Sequence, residues 1–247
     1  MEHAVYQRMA QLEAKHWWFR ARATILEQLL ASQPLPAHAR LLEVGSGTGA
    51  NLKLLAALGD VVAMEPDSTA RALCQQHHGI EAIPGTLPNG VDLAPASFDL
   101  IAAIDVIEHV KEDRASLETL LGLLKPGGRL ILTVPAFPFL WSGHDEEHHH
   151  QRRYRRRPLI NMLTEAGFEV RYSSYYNCLL FPLVAMIRIA KNLFPGDNHP
   201  DDTMPQPWLN GILYRAFASE RRWVAKNRRL PFGVSLIAVA TRPEQHS

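Results

Sequence analysis

Apolar positions along this chain follow two spacings. Short runs of consecutive apolar residues have the length of buried strands, and between them apolar side chains recur every three or four residues, as on one helix face. The runs predict seven strands, at 41–44, 61–65, 80–83, 98–104, 129–134, 168–173 and 234–241. The periodic segments predict helices at 52–58, 68–78, 113–123 and 158–166. This alternation indicates an α/β domain with a parallel sheet covered by helices on both faces.

Two further helical regions lie outside the alternation. Residues up to about 32 carry an apolar stripe, and two prolines at 34 and 36 mark the passage into the α/β part. About fifty residues separate the last two predicted strands and carry helical patterns at 179–194 and 208–228. The segment 195–207 between them is rich in Pro and Asp, and we expect it to be mobile.

Composition narrows the class of protein. The 247 residues, 47% apolar with a formal net charge of +1, suit one globular domain and give no reason to expect a nucleic-acid partner. Cys74 and Cys178 lack a metal-type spacing and fit a reduced compartment. The N-terminus shows no secretory signal, and Pro182 breaks the longest apolar run, 178–187. We therefore expect a cytoplasmic protein without a membrane span.

A glycine-rich loop follows the first strand. The loop begins after Glu43, which precedes Gly45, Gly47 and Gly49, and a helical pattern follows at once. Glycine lets a backbone approach a ligand closely, so strand, loop and helix form a nucleotide-sized cradle. With Ala50 the loop also fits the dinucleotide fingerprint, which leaves an NAD(P)-binding oxidoreductase open. A carboxylate at the strand end favours a cationic cofactor, S-adenosylmethionine, over a pyrophosphate.

The second strand ends in Glu65-Pro66-Asp67. Glu65 lies twenty positions after Gly45, where folds of this kind place an acid that hydrogen-bonds ribose hydroxyls. Asp67 stands where an N-cap would begin the next helix.

The order of these motifs resembles class I S-adenosylmethionine-dependent methyltransferases over about 41–136. The motif DVIEH at 105–109 and the turn LKPGGRL at 124–130 complete the set, and HWWFRAR at 16–22 is similar to a bacterial subgroup. The resemblance implies a Rossmann-like, seven-stranded, mostly parallel sheet with helices on both faces. It also implies an N-terminal helical lid over 1–36 and a methyltransferase domain over 37–247, with a helical insertion at about 178–230 before the last strand.

The resemblance further implies which residues hold S-adenosyl-L-methionine. These are Glu43, Gly45, Ser46, Gly47, Gly49, Glu65, Pro66, Asp67, Leu87, Asp105 and Val106. In the family the N-terminal helix closes over the cofactor, which suggests a lid role for His16, Trp17 or Arg20.

Candidate catalytic residues follow the fourth and fifth strands. His109 comes after the fourth strand, and His144 and His148 come after the fifth. Open α/β sheets bind ligands at these strand ends, and a neutral imidazole can accept a proton from a hydroxyl. We therefore predict that these three histidines act on the methyl acceptor.

A metal site is an alternative use of the same residues. Plant-type small-RNA 2′-O-methyltransferases, which this region resembles, hold a metal with a Glu-x-x-Glu-His motif and a later histidine. The resemblance implies Glu108, His109, and His144 or His148 as ligands, with Asp105 in place of the first Glu. Metal-free relatives share the DVIEH pattern, so we expect no metal. These residues are the candidate ligands if a metal does bind.

Together these features predict direct SN2 transfer of a methyl group from S-adenosylmethionine to oxygen of a small-molecule or lipid- or saccharide-type acceptor. A non-catalytic cofactor-binding protein is the remaining alternative to a methyltransferase or an oxidoreductase. The insertion is expected to cap the acceptor pocket, with dimerisation or peripheral membrane contact as alternatives. The sequence leaves the oligomeric state open.

Overall fold

A computed structural model describes residues 3–193 and 203–244. They contain a six-stranded sheet in the order β2-β1-β3-β4-β6-β5. The strands are β1 (Ala39–Val44), β2 (Gly59–Met64), β3 (Phe98–Ile104), β4 (Leu124–Pro135), β5 (Glu169–Tyr176) and β6 (Ser235–Thr241). The first four strands run parallel, and β6 pairs antiparallel with both β4 and β5. The carboxyl ends of β1 to β4 therefore meet at one edge of the sheet.

The prediction of seven strands is wrong, because the segment 80–83 forms only one bridge. Ile83 donates its N–H to the carbonyl of Ala63 and accepts from the N–H of Glu65, both at 2.9 Å. Pro84 follows directly, and a residue without an N–H cannot extend the ladder. The sheet accordingly ends at β2.

Helices cover both faces of the sheet. In chain order they are α1 (His3–Leu12), α2 (Trp17–Ala31), α3 (Leu52–Ala56), α4 (Ser68–His78), α5 (Asp113–Leu123), α6 (Gly143–Glu147), α7 (Arg156–Glu165), α8 (Phe181–Leu193), α9 (Pro207–Ala218) and α10 (Arg221–Val224). One large apolar cluster joins α5 and α7 to one face, and a second joins α2 and α9 to the other. The N-terminal helix α2 thus shares the core of the α/β sheet.

Two long helices that the periodicity predicted are each broken. The N-terminal helix divides into α1 and α2, and the second insertion helix divides into α9 and α10 at Ser219 and Glu220. Glu220 is 1% exposed, and its Oε1 accepts hydrogen bonds from the N–H groups of Cys178 and Leu179 at 2.7 and 2.9 Å. This buried carboxylate therefore links the junction of α9 and α10 to the start of the insertion.

The segment 195–207, predicted to be mobile, lies largely outside the described residues. Within the described ranges, no helix combines the length and the apolar character that crossing a bilayer requires.

Candidate functional site

A cavity of about 850 Å³ opens at the carboxyl ends of the parallel strands. The loop after β1 forms one wall, and α1 and α2 cover it. The opposite wall consists of histidines that follow β3 and α6 together with the apolar side of α8. This volume lies in the upper part of the range for small-molecule sites, which suits a cofactor and a second ligand together.

The glycines of the loop have different structural roles. Gly45, Gly47 and Gly49 all adopt positive φ angles, of +62°, +55° and +96°. A Cβ on Gly45 would stand 2.7 Å from Val106 Cγ2, so only glycine lets the ends of β1 and β3 approach. A Cβ on Gly47 would meet nothing within 4 Å. Because Gly47 lines the cavity, a ligand bound in the cavity can occupy this open space.

Two buried carboxylates stand behind the loop. Glu65 Oε2 accepts from the N–H of Gly47 at 2.9 Å, and its Oε1 accepts from the N–H of Asp67 at 3.0 Å. Glu43 is 1% exposed, and its Oε1 accepts from Asn51 Nδ2 at 2.8 Å. Its Oε2 has no hydrogen-bond partner among the described residues. Burial, with weaker repulsion from other carboxylates, raises the pKa of Glu43 to about 8.

The N-terminal helices add a carboxylate and a cation that were not predicted as site residues. Glu13 accepts a hydrogen bond from the hydroxyl of Thr48 in the loop. Arg22 pairs with Asp105, and its guanidinium lies 4.5 Å from the ring centre of Trp18. The sequence signal for Arg22 was its spacing of four residues from Trp18, which makes the two side chains neighbours on a helix surface.

These residues fit S-adenosylmethionine. Glu13 and Glu65 line the cavity and favour a ligand that carries a sulfonium and an ammonium, and Arg22 offers a cation for a carboxylate. The open position at Gly47 leaves room for close backbone contact. A dinucleotide pyrophosphate would instead stand among buried acids.

A cluster of histidines lies on the opposite wall. The ring centres of His109 and His150 are 4.7 Å apart, and those of His144 and His148 are 4.3 Å apart. One ligand atom from each of Glu108, His109 and His150 lies within 4.8 Å of the other two. This wall therefore brings together one carboxylate and several imidazoles.

Burial favours the neutral form of most groups of this cluster whose pKa is shifted. Burial and the neighbouring His150 and His148 lower the pKa of His109 to about 3. Burial also holds the pKa of His144 well below its ordinary value, and burial and the charge of Asp105 raise that of Glu108. Asp145 is the exception, because His150 and Arg153 keep its pKa low despite burial.

The predicted cofactor residues divide into two groups. The cavity is lined by Gly45, Ser46, Gly47, Glu65, Pro66, Leu87, Asp105 and Val106. Glu43, Gly49 and Asp67 lie behind this lining. There Gly49 packs toward Cys74, and Asp67 caps α4 by accepting from the N–H groups of Thr69 and Ala70.

The predicted catalytic histidines His109, His144 and His148 all line the cavity. Sequence reasoning missed His150, which lines it too. His150 Nδ1 lies 2.8 Å from Asp145 Oδ1, and Arg153 Nε donates to the same oxygen at 2.8 Å. The sequence offered no signal that favoured His150 over its neighbours in the run 148–150.

The two parts of the insertion lie in different places. On α8, Leu183, Val184 and Ile187 line the cavity. The helix α9 packs on α2, with the rings of Trp17 and Phe217 in an edge contact at 6.1 Å, and it adds only Leu213 to the cavity lining. The first part of the insertion therefore forms a wall of the cavity, and the second supports α2.

Comparison with known proteins gives the family. A family model described as a methyltransferase domain matches residues 14–173, more than half of the chain. A ubiquinone biosynthesis O-methyltransferase of Xanthomonas axonopodis pv. citri is 28% identical over 134 residues, which is 49% of this chain and 56% of that protein. The chain spans about half the length of the curated relatives it matches.

Solved structures share the fold at low identity. An S-adenosylmethionine-dependent methyltransferase from Mesorhizobium loti has a TM-score of 0.56 at 16% identity, covering 87% of this chain and 95% of that one. Phosphoethanolamine N-methyltransferase 2 of Haemonchus contortus, in complex with S-adenosyl-L-methionine, has a TM-score of 0.57 at 16% identity over 89% of this chain and 52% of that one. The chain therefore belongs to the class I S-adenosylmethionine-dependent methyltransferases.

Proposed function

We propose that the protein transfers a methyl group from S-adenosylmethionine to a hydroxyl oxygen of an acceptor with an apolar tail. The proposal rests on the composition of the cavity. One side of the cavity is the glycine loop with its carboxylates, which suits a cationic cofactor. The opposite side is the histidine wall, formed by His109, His144, His148 and His150, and it lies next to apolar residues of α8.

Residues of the loop side hold the cofactor in this proposal. Glu65 lies at the end of β2, where an acid can accept from ribose hydroxyls. Gly47 leaves space for close backbone contact, and Arg22 offers a cation to the carboxylate of the methionine moiety. When bound, the cofactor supplies a methyl group on a sulfonium, so the enzyme has mainly to align the acceptor and exclude water.

The histidine wall receives the acceptor hydroxyl. As the O–C bond forms and the S–C bond breaks, the hydroxyl proton must leave, and a neutral imidazole can accept it. His144 is neutral at pH 7 because burial lowers its pKa, and it lies beside His148. We assign proton acceptance to this pair.

The apolar part of the cavity favours an acceptor with a hydrocarbon tail. Leu183 and Ile187 line the cavity and remain 44% and 43% exposed, so they lie at its mouth. A tail there would remove apolar surface from water, worth about 0.8 kcal/mol per buried CH₂. Relatives named O-methyltransferases of ubiquinone biosynthesis support oxygen as the accepting atom. A phenol or catechol with an alkyl tail is the acceptor class we propose.

Steady-state kinetics with matched acceptors test this function. We expect labelled methyl transfer from S-adenosylmethionine to a tailed phenol, and little transfer to the untailed phenol or to an amine with the same tail. Ile187→Ser should lower kcat/KM for the tailed phenol by about 5–30-fold, equivalent to about 1–2 kcal/mol of lost apolar contact.

Met186→Ser is the matched control, because Met186 is 62% exposed and does not line the cavity. Preference for the amine, or equal rates with and without the tail, would contradict the proposed acceptor class.

A further inference from the structure

We propose that Glu108, His109 and His150 bind a divalent first-row transition-metal ion on the acceptor side of the cavity. One potential ligand atom from each side chain lies within 4.8 Å of the other two, close enough for one ion to bridge them after small movements. Two imidazoles and one carboxylate suit Zn²⁺, Fe²⁺ or Mn²⁺ better than Mg²⁺, which prefers oxygen ligands alone.

Glu108 provides the first independent observation. Its side chain is 0% exposed, and neither carboxylate oxygen accepts a hydrogen bond from another described residue. A buried carboxylate without partners is costly, and buried polar groups in folded proteins are nearly always paired. A cation bound between Glu108 and the two imidazoles would supply the missing partner.

The second observation is that both histidines are oriented by a further hydrogen bond. His150 Nδ1 lies 2.8 Å from Asp145 Oδ1, and Asp145 is itself held by Arg153 Nε at 2.8 Å and by the N–H of Ser142 at 3.0 Å. The His109 ring hydrogen-bonds the backbone of His148. Histidines that bind metals are held in this way, with one nitrogen donating to an oxygen and the other free to coordinate.

This ligand set differs from the one implied by the resemblance to small-RNA methyltransferases. Asp105, at the first position of that motif, pairs with Arg22 and accepts from the hydroxyl of Thr133 at 2.8 Å. The later histidine is His150 instead of His144 or His148. Three protein ligands leave at least one coordination position for an acceptor oxygen, as in catalytic zinc sites.

The role of the ion rests on the proposed function, whereas its binding does not. A hydroxyl bound to a divalent metal loses its proton more readily, so that a neutral histidine outside the ligand set could accept it. The ion would also fix the hydroxyl on the histidine side of the cavity, opposite the glycine loop.

Metal titration of the full chain tests the proposal. After treatment with EDTA and dialysis, we expect one Zn²⁺ per chain by calorimetry, no saturable Mg²⁺ binding, and visible absorption bands when Co²⁺ is added. Glu108→Gln and His150→Ala should each weaken Zn²⁺ binding by at least 100-fold. Asp145→Asn, which alters only the partner of His150, should weaken it by about 10–100-fold.

His149→Ala is the control for metal affinity, because His149 belongs to the same run but not to the ligand cluster. Circular dichroism and S-adenosylmethionine affinity of each variant show whether it has folded. Absence of Zn²⁺ binding, or binding unchanged in both folded ligand variants, would overturn the site. Methyl transfer by the EDTA-treated protein would then leave the proposed function standing. Zn²⁺ binding without any methyl transfer would instead support the site and contradict the function.

Discussion

Gly47 lines the cavity, and a Cβ added to it would meet no protein atom within 4 Å. Substitution of this residue therefore tests the cofactor site. Gly47→Val should weaken S-adenosylmethionine binding by more than 100-fold, because the branched side chain would occupy the open space. Isothermal titration calorimetry measures the affinity. Gly79→Val is the matched control, since Gly79 also has a positive φ, +69°, and open space, but ends α4 outside the cavity.

Both substitutions carry a similar backbone penalty of about 1–2 kcal/mol. Equal cofactor affinity in the two variants would contradict placement of the cofactor against Gly47.

The buried Glu43 predicts a dependence of stability on pH. Its pKa is about 8 in the folded protein against 4.5 for a solvated carboxyl, because burial disfavours the charged form. Between these values the folded state holds a proton that the unfolded state has released. The free energy of unfolding should therefore fall as pH rises through this window, by up to about 1.4 kcal/mol per pH unit.

Glu43→Gln should flatten this slope, measured by urea denaturation at pH 5 to 8 without cofactor. Glu81→Gln, at an exposed position, should keep it. An unchanged slope in Glu43→Gln would show that Glu43 is ionised in the folded protein.

Candidate site residues were predictable from the sequence where they lie close together along the chain at the end of a strand. The glycine loop and Glu65 follow from their positions at strand ends, and the end of β3 points to Glu108 and His109. His150 was not predictable, because the backbone turns through a positive φ of 55° at His149 and brings the next side chain to His109. No periodicity in the sequence signals such a turn.

At the scale of elements, Asn210 links the insertion to the N-terminal helix. Its Oδ1 accepts from the N–H of Trp17 at 2.8 Å, and its Nδ2 donates to the carbonyl of Lys15 at 2.9 Å. The N–H of Trp17 begins α2 and has no partner within the helix. Asn210→Ala should lower the free energy of unfolding by about 1–3 kcal/mol through loss of two hydrogen bonds.

Chemical denaturation measures this loss, with Asn89→Ala at an exposed loop position as control. Equal stability of the two variants would mean that α9 packs on α2 without help from Asn210.

The helix α8 also exposes apolar side chains beside the cavity mouth. Met186 is 62% exposed and Leu193 is 68% exposed, and Trp208 at the start of α9 is 68% exposed. Exposed basic residues follow on α9, on α10 and just after it, among them Arg215, Arg222 and Lys226. Apolar residues flanked by positive charge favour the surface of an anionic membrane, where a tailed acceptor would reside.

We therefore predict that the protein floats with anionic vesicles at low salt and less so at physiological salt, where charges are screened beyond about 8–10 Å. Met186→Glu should weaken flotation, while Gln75→Glu, the same charge change on α4, should not. Failure to float at low salt would leave lining of the cavity as the role of α8.

The type and order of the helices and strands were predictable from the sequence, whereas their first and last residues were less so. Apolar runs located the four parallel strands β1 to β4 because buried parallel strands are apolar on both faces. The segment 80–83 has the same composition, yet Pro84 stops it after one bridge. The long insertion helix broke at Glu220 because tertiary contacts to Cys178 and Leu179 outweighed the helical pattern.

At the scale of the whole molecule, the cavity is lined by residues from widely separated parts of the chain. The N-terminal helices, the carboxyl ends of four strands, the histidines after β4 and the insertion all line it. Motif order indicated the cofactor side, since its residues lie close together in sequence. The meeting of α8 with the histidine wall depends on packing over long distances, and it was beyond sequence reasoning. The cytoplasmic location stays a prediction.

In the function we propose, the cofactor and the acceptor hydroxyl meet in this cavity. A crystal structure with S-adenosylhomocysteine and a tailed phenol would measure the distance between the phenol oxygen and the position of the transferable methyl carbon. We predict about 3–3.5 Å, the separation of groups poised to react, with the oxygen on the histidine wall and the tail along α8. A phenol bound outside the cavity, or with its hydroxyl directed away from the sulfur, would contradict the account.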